Sequence, residues 1–327
     1  MKKIVSLVLS LLMGFSLLSL AGCGAKKNLK LGLGISTSIG EIKNATEEVN
    51  GTADVSTAVA AVLLDEEGKI VKCAIDSTNN EMYFSISGEA LALENLKSKR
   101  ELGDDYGMVK YQASKKEWYE QVDAFISVIT GKTIDEVKKM QDGDKGNEEI
   151  TNAGCTIKIS EFMTALEKAC NNAKESAAGA EDTLKLALVS KQDEKTAATE
   201  EAKGATGIMT TAVALALDSD NKVTASINDA VAAKVEFDTK GVSTTEFGKA
   251  ISTKRELGDD YGMVKYQASK TEWYEQADAF DTQLIGKTAT EIYTLADSSG
   301  KPGDDLVTAG CTINVSDMIS AAAKAAK

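Results

Sequence analysis

Residues Lys99–Lys115 read Lys-Arg-Glu-Leu-Gly-Asp-Asp-Tyr-Gly-Met-Val-Lys-Tyr-Gln-Ala-Ser-Lys, and Lys254–Lys270 repeat them without a difference. Extending both copies to Phe125 and Phe280 adds only two substitutions. Outside this repeated block the two halves of the chain have diverged much further. The chain is therefore a tandem duplication in which one segment has either been retained or been copied again.

The length and composition predict two domains of ordinary size. The chain has 327 residues, of which 43% are hydrophobic and 27% are charged, as is normal for globular proteins. We expect repeat domains at residues 29–173 and 184–327, joined by a linker at 174–183. Each repeat is long enough to bury a core.

The N-terminal residues are typical of an export signal. Two lysines precede an apolar run from Ile4 to Leu20, and Leu20-Ala21-Gly22-Cys23 follows. This motif resembles the lipobox of bacterial lipoproteins, so we expect a signal peptide at 1–22, lipidation of Cys23 and a lipid tether at 23–28. Acyl chains on Cys23 would hold the protein at the extracytoplasmic face of the cell membrane.

Charge and composition exclude several function classes. Removing residues 1–22 takes away Lys2 and Lys3 and no acidic residue, so the net charge of −13 becomes −15. Such an acidic chain repels nucleic acid, which is therefore not a predicted partner. The chain has no histidine, which excludes Ser-His-Asp and Cys-His catalysis and argues against zinc or haem.

Four cysteines remain beyond Cys23. An even number in an exported protein suggests disulfides, yet only Cys155 and Cys311 occupy equivalent positions in the two repeats. Cys311 has no cysteine partner in its own repeat. We therefore predict buried free thiols, with a Cys155–Cys170 bridge as the alternative.

Hydrophobic alternation predicts short strands in each repeat. In the first, Thr57–Leu64 and Lys69–Ile75 flank an acidic turn and read as a β-hairpin, preceded by a strand beginning near Leu29. A further strand is predicted at Met82–Ile86, with a counterpart at Lys234–Phe237.

The repeated block divides into two parts. Glu101–Met108 and Glu256–Met263 carry two glycines each and no periodicity, so they predict loops. Capping boxes beginning at Ser114 and Ser269 then predict helices with an apolar face. Shorter helices are expected after Thr133 and Thr288, again with capping boxes.

Each repeat ends in Ala-Gly-Cys-Thr-Ile, at Ala153–Ile157 and Ala309–Ile313. The alternation that follows the glycine predicts a strand with its cysteine inward and its threonine outward. Terminal helices capped by Ser160 and Ser316 complete the repeats. The predicted fold class is α+β, with two tandem homologous domains, each a small antiparallel sheet packed with two to three helices.

The loop of the repeated block is the first candidate site. It combines charge, an aromatic ring and glycine, as binding loops do, although a structural loop or a recent gene conversion would also explain its identity. Neighbouring acids in an extended loop point in opposite directions, so no metal site is predicted. Trp118 and Trp273 fall on the apolar helix face and are predicted core residues, whereas Tyr106 and Tyr119 are better candidates for stacking.

The order of elements, the hairpin and the late Gly-x-Thr together resemble the FMN-binding domain family, which includes tandem-domain lipoproteins of extracellular electron transfer. The family signature is Ser-Gly-Ala-Thr, whose threonine carries FMN through a phosphodiester bond. Gly154 and Thr156 match it in the first repeat, and Gly310 and Thr312 in the second. Alanine replaces the serine and cysteine replaces the alanine in both copies.

The resemblance implies two FMN groups, on Thr156 and Thr312, in an electron relay at the cell envelope with a redox partner. The flavin rings would be bordered by the loop residues Asp104, Asp105, Tyr106, Asp259, Asp260 and Tyr261. A strand threonine that carries no cofactor is the simpler interpretation of the same positions. The alternative function is a non-enzymatic lipoprotein that binds a ligand or envelope partner through the repeated loop.

Overall fold

The computed structural model describes residues 28–111, 114–266 and 268–327. Cys23, the predicted signal peptide and residues 23–27 of the tether lie outside this part. No helix among the described residues is long and apolar enough to cross a membrane.

Three long strands form the sheet of the first repeat. They are β1 (Lys30–Lys43), β2 (Gly51–Leu64) and β3 (Ile70–Phe84), paired antiparallel in the order β1-β2-β3. The predicted hairpin is present, since Asp65 accepts hydrogen bonds from the backbone N–H groups of Glu67 and Lys69. The separate strand predicted at Met82–Ile86 is wrong, because Met82–Phe84 are the last residues of the continuous strand β3 and the strand ends there.

The second repeat forms the same three-stranded meander. Its strands are β7 (Thr183–Thr196), β8 (Gly204–Leu217) and β9 (Val223–Phe237), again antiparallel and in sequence order. There are also two-residue strands, namely β4 (Gln141–Asp142), β5 (Lys145–Gly146), β6 (Lys174–Glu175) and β10 (Ala250–Ile251). Strands β4 and β5 pair with each other in a separate small sheet. Both β6, in the predicted linker, and β10, in the second repeat, pair with β1, so the sheet of the first repeat includes a strand from the second.

The helices lie between and after these strands. In the first repeat they are α1 (Lys99–Leu102), α2 (Met108–Tyr111), α3 (Trp118–Ile129), α4 (Ile134–Lys138), α5 (Glu148–Ala153) and α6 (Ser160–Asn171). In the second they are α7 (Lys254–Leu257), α8 (Trp273–Leu284), α9 (Ala289–Ile292), α10 (Asp304–Ala309) and α11 (Ser316–Ala325). The α+β class predicted from the sequence is confirmed.

The two sheets pack face to face, and helices cover their outer faces. Each outer core is formed within one repeat, from its sheet and its helices. The two inner cores contain side chains from both repeats. Phe84 and Phe237, which occupy equivalent positions, stack on each other with ring centroids 4.7 Å apart and an interplanar angle of 8°. The described residues thus form a four-layer helix–sheet–sheet–helix structure.

Four of the predicted helix caps are wrong. Helices α3 and α8 begin at Trp118 and Trp273, and their capping boxes use Glu117 and Glu272 instead of Ser114 and Ser269. Ser160 and Ser316 are the first helical residues and do not cap. The capping boxes at Thr133 and Thr288 are confirmed.

The strand predicted after Ala153 is also wrong. Helix α5 ends there, Gly154 adopts a left-handed conformation with φ 113°, and the next residues form no strand. Burial still alternates from Cys155, which is fully buried, to Thr156, which is exposed. The Thr156 backbone N–H donates to the side chain of Gln121 at 2.9 Å, so α3 takes the place that a neighbouring strand would have filled.

Candidate functional site

The repeated block is helical rather than an irregular loop. Ser98 accepts a hydrogen bond from the Glu101 N–H, and the Glu101 carboxylate accepts one from the Ser98 N–H, so α1 begins immediately. A 3₁₀ turn follows at Gly103–Tyr106 and its counterpart at Gly258–Tyr261. Gly107 then ends the turn with φ 75°, a conformation that favours glycine.

Arg100 connects the block to the sheet and to α3. Its Nε donates to the Ile75 carbonyl at 2.6 Å, and its Nη2 donates to Asp123 Oδ1 at 2.7 Å. Its backbone N–H donates to the carboxylate of Asp76, whose pKa is raised by burial. Arg255 makes the corresponding contacts in the second repeat. This arginine therefore acts as a structural cross-link in both repeats.

Lys99 packs inward instead of facing solvent. Its Nζ lies 5.2 Å from the Tyr106 ring centroid and 5.4 Å from that of Trp118, and burial lowers its pKa. Trp118 is 3% exposed, which confirms its predicted place in the core. Tyr106 was predicted to be free to stack on a ligand, but Lys99 lies over its ring.

Glu101 joins the two repeats. Its Oε1 lies 2.6 Å from Nζ of Lys324 in the last helix, and the same ammonium donates to the Leu188 carbonyl at 2.7 Å. Burial opposes ionisation of Glu101, but the bonds from Lys324 and Ser98 outweigh it and lower its pKa. The equivalent ion pair, Lys168 to Glu256, is also 2.6 Å long. Sequence analysis missed both pairs because each partner lies in the other repeat.

The acidic residues of the block do not converge on a cavity. Asp104 accepts a hydrogen bond from the Tyr119 hydroxyl at 3.0 Å, and Asp259 accepts one from Tyr274 at 3.2 Å. Asp105 and Asp260 are exposed. Tyr261 contacts Lys254 as Tyr106 contacts Lys99. The loop residues named from the sequence therefore belong mainly to internal contacts of the block.

Thr156 and Thr312 occupy equivalent exposed turns. The Thr156 hydroxyl lies 3.0 Å from Gln121 Oε1, and the Thr312 hydroxyl lies 3.0 Å from Gln276 Oε1. Gln121 and Tyr119 are two positions apart on α3, so they project from nearly opposite sides of the helix. Thr156 and Asp104 are thus placed on different sides of α3, and the structure does not bring the two predicted groups together.

One part of the block remains exposed in both copies. The side chains of Val109, Lys110 and Tyr111 face solvent, and the Tyr111 ring lies over Gly107 with Lys110 Nζ 4.6 Å from its centroid. Tyr111 is 70% exposed and Tyr266 is 72% exposed. We call Asp105, Val109, Lys110 and Tyr111, with their equivalents Asp260, Val264, Lys265 and Tyr266, the contact patches.

The four described cysteines are free thiols. Cys155 and Cys311 are buried as predicted, whereas Cys73 and Cys170 are only half-buried, and the alternative Cys155–Cys170 bridge is not formed. Burial raises the pKa of Cys155 and Cys311 to about 11, that of Cys170 to about 12, and that of Cys73 still further. All four are therefore protonated at neutral pH and are poor nucleophiles.

The second repeat contains a buried polar network that sequence analysis missed. Asp281 accepts hydrogen bonds from the Ser226 hydroxyl at 2.6 Å, from the Asn228 N–H at 3.1 Å and from Arg255 Nη2 at 3.1 Å. The first repeat has Cys73, Ile75 and Ile126 at the three equivalent positions of Ser226, Asn228 and Asp281. Polar residues of the second repeat thus replace less polar ones at all three positions together. This joint replacement is the sequence signal that could have revealed the network.

Among the described residues no three carboxylate or thiol side chains are grouped as metal ligands. The sequence-based expectation of no metal remains a prediction.

Comparison with known proteins gives one partial similarity. No known protein family matches the chain, and no solved structure matches it. A chlorophenol reductase from Desulfitobacterium hafniense is 28% identical over 130 residues. The aligned stretch covers 35% of this chain and 38% of that protein, so the similarity extends over less than half of either.

Proposed function

We propose that this chain is a lipid-anchored, non-enzymatic binding protein of the cell surface that recognises an envelope partner twice, through its two contact patches. The observation that carries this proposal is the identity of exposed side chains at both patches. Folding accounts for Lys99, Arg100 and Glu101, because all three make internal contacts. Folding does not require a tyrosine at an exposed position such as Tyr111. The polar and apolar atoms of a tyrosine together suit a protein interface.

Two equivalent patches on one chain support bivalent binding. When a partner presents repeated sites, the second contact forms at a high effective concentration, which raises the overall affinity without any new type of contact. An anchor on Cys23 would hold both patches at the extracytoplasmic face of the membrane, where partners of the envelope are available.

The double variant Tyr111→Ala/Tyr266→Ala is expected to lose binding to isolated envelopes of the producing cells. Each single variant should lose most of the avidity, by about 10²-fold, because one patch then binds alone. Co-sedimentation of the delipidated protein with envelopes measures the effect. Tyr293→Ala removes another half-exposed tyrosine outside the patches and serves as the control. Unchanged sedimentation of the double variant would rule the proposal out.

A second candidate function is electron relay by FMN attached to Thr156 and Thr312, with a redox partner in the envelope. Two observations favour it: both hydroxyls are at exposed, equivalent turns, and the partly similar protein is named a reductase. The cofactor would supply the redox chemistry, and the chain would position it. Attachment at Thr156 would require its hydroxyl to leave Gln121.

Co-expression with a flavin transferase is expected to yield a protein that stays yellow after denaturation, if this second function is correct. Intact mass should increase by two FMN groups and, in the mature protein, by the acyl groups on Cys23. Thr156→Val and Thr312→Val should each remove one FMN while leaving the lipid mass unchanged. Unmodified Thr156 and Thr312 peptides from a colourless product would exclude flavin but leave the binding function untouched.

A further inference from the structure

A groove of about 580 Å³ lies between one edge of the first sheet and one edge of the second. Residues 73–76 of β3 form one wall, residues 184–186 of β7 form the other, and side chains of α1 and α3 also line it. The β3 edge is already engaged, because Arg100 Nε donates to the Ile75 carbonyl at 2.6 Å. The edge with room for a further strand is therefore that of β7.

The edge of β7 that faces the groove is open. Within the described residues, β7 pairs with β8 alone. Lys324 Nζ donates to the Leu188 carbonyl at 2.7 Å, so this carbonyl points away from β8. Alternate residues of an antiparallel strand turn their backbone groups to the same edge, so Leu184 and Leu186 present theirs here too. No described residue forms a hydrogen bond with them at this edge, which makes it a template for a further strand.

Apolar side chains on this edge are less buried than their counterparts in the first repeat. Leu184 and Leu186 are half-buried. The register with the neighbouring strands places them at the positions of Leu31 and Leu33 on β1, which are 3% and 4% exposed. A strand added beside β7 would remove more apolar surface from water, which favours its binding.

The corresponding edge of β1 shows what fits such a position. There β6 pairs antiparallel with β1, and Glu175 lies opposite Lys30, with its carboxylate 3.4 Å from Lys30 Nζ. The chain continues along the same edge, where the Leu29 N–H donates to the Ala178 carbonyl at 2.8 Å. The structure thus contains an occupied example of the edge that is open on β7.

The groove also contains an unpaired lysine. Lys185 of β7 lines the groove and forms no ion pair with any described residue. The two aspartates of the groove, Asp76 and Asp123, accept hydrogen bonds from Arg100 instead. Gly32 takes the position of Lys185 on β1, so the lysine distinguishes the open edge from the covered one. An acidic residue in the added strand would complement this charge.

We propose that the open edge of β7 binds an extended peptide segment of another protein, which joins the second sheet as an antiparallel strand in the way that β6 joins the first. Backbone hydrogen bonds with Leu184 and Leu186 hold the segment, and an acidic residue opposite Lys185 makes the binding selective. Its other side chains are small, as they are at residues 176–178 beside β1. This surface shares no residue with the contact patches and is a separate binding site.

Two synthetic peptides test the proposal by fluorescence anisotropy with the full mature chain. The first is Asn-Ala-Lys-Glu-Ser-Ala-Ala-Gly, the sequence of residues 172–179, and the second has glutamate in place of its first alanine. In the register that β6 adopts on β1, this alanine would lie opposite Lys185. We expect both peptides to bind saturably, and the second to bind about two- to fivefold more tightly, because it gains a cross-strand pair of opposite charges.

Matched variants separate backbone pairing from charge. Lys185→Ala should make the two peptides bind equally, whereas Lys195→Ala, near the far end of β7, should preserve their difference. A peptide methylated on the alternate amide nitrogens that face β7 should not bind, because it cannot donate to the edge. Thermal melts would confirm that both variants fold.

The proposal fails if the second peptide shows no saturable binding, if the methylated peptide binds equally well, or if the preference for the second peptide persists in Lys185→Ala. Sedimentation velocity tests a different occupant. A dimer of the mature chain that the peptides dissociate would show that a second copy occupies the edge, and would overturn the assignment to another protein.

Discussion

Phe84→Ala is expected to lower the free energy of unfolding by about 3–5 kcal/mol, because it leaves a cavity in an inner core that the two sheets share. The Phe84 ring is fully buried and stacks on Phe237 of the other repeat. Each ring also covers a glycine: a Cβ added at Gly51 would lie 2.2 Å from the Phe84 ring, and one at Gly204 would lie 2.4 Å from the Phe237 ring. Backbone this close to the rings cannot easily move inward to fill the space.

Denaturant titration measures this loss, and each repeat has its own probe. Trp118 and Trp273 are both buried, one in each outer core. Because the inner cores join the repeats, Phe84→Ala should shift both tryptophan environments together in one transition. Phe247→Ala is the control, since this ring is 65% exposed and should cost less than about 0.5 kcal/mol. Unfolding of the first repeat alone would contradict a shared core.

Much of the sheet structure could be predicted from local patterns. The hairpin turn at Asp65 and the alternation in β1 and β2 depend on neighbouring residues, which the sequence displays directly. The continuity of β3 was missed because its polar residues, Asp76 to Asn80, interrupt the apolar pattern. In the structure these residues are mostly buried between the sheets or beneath the block. The apolar pattern that predicts a strand is therefore missing from the middle of β3.

The candidate site was harder to predict because its contacts are long-range. Glu101 was expected in a free loop, yet it caps α1 and pairs with Lys324 of the other repeat. The turn at Thr156 was expected in a strand, because the side chain of Gln121 could not be known to replace a strand partner. Internal contacts now account for much of the identity between the repeated blocks. The contact patches are the part of the blocks whose identity these internal contacts do not explain.

Asp281→Ile is expected to lower the free energy of unfolding by about 3 kcal/mol, a loss typical of breaking a buried charge network. Asp281 is 7% exposed and accepts hydrogen bonds from Ser226, Asn228 and Arg255. Removing the carboxylate leaves buried donors on the first two without their acceptor, and each unpaired donor costs about 1–3 kcal/mol. Arg255 keeps its bond to Asp278 at 2.6 Å, which limits the loss on the arginine side.

The residues of the first repeat suggest a variant that should restore the lost stability. Cys73, Ile75 and Ile126 form the apolar version of the same site around Arg100, whose pair with Asp123 corresponds to that of Arg255 with Asp278. The triple variant Ser226→Cys/Asn228→Ile/Asp281→Ile should therefore recover to within about 1 kcal/mol of the parent chain, as apolar replacements of buried charge networks commonly do. Denaturant titration of the single and triple variants compares them directly. If the triple variant were less stable than Asp281→Ile, the apolar set of the first repeat would not fit the second. The residues around the site, and not the three exchanged positions, would then determine whether the polar or the apolar set is stable there.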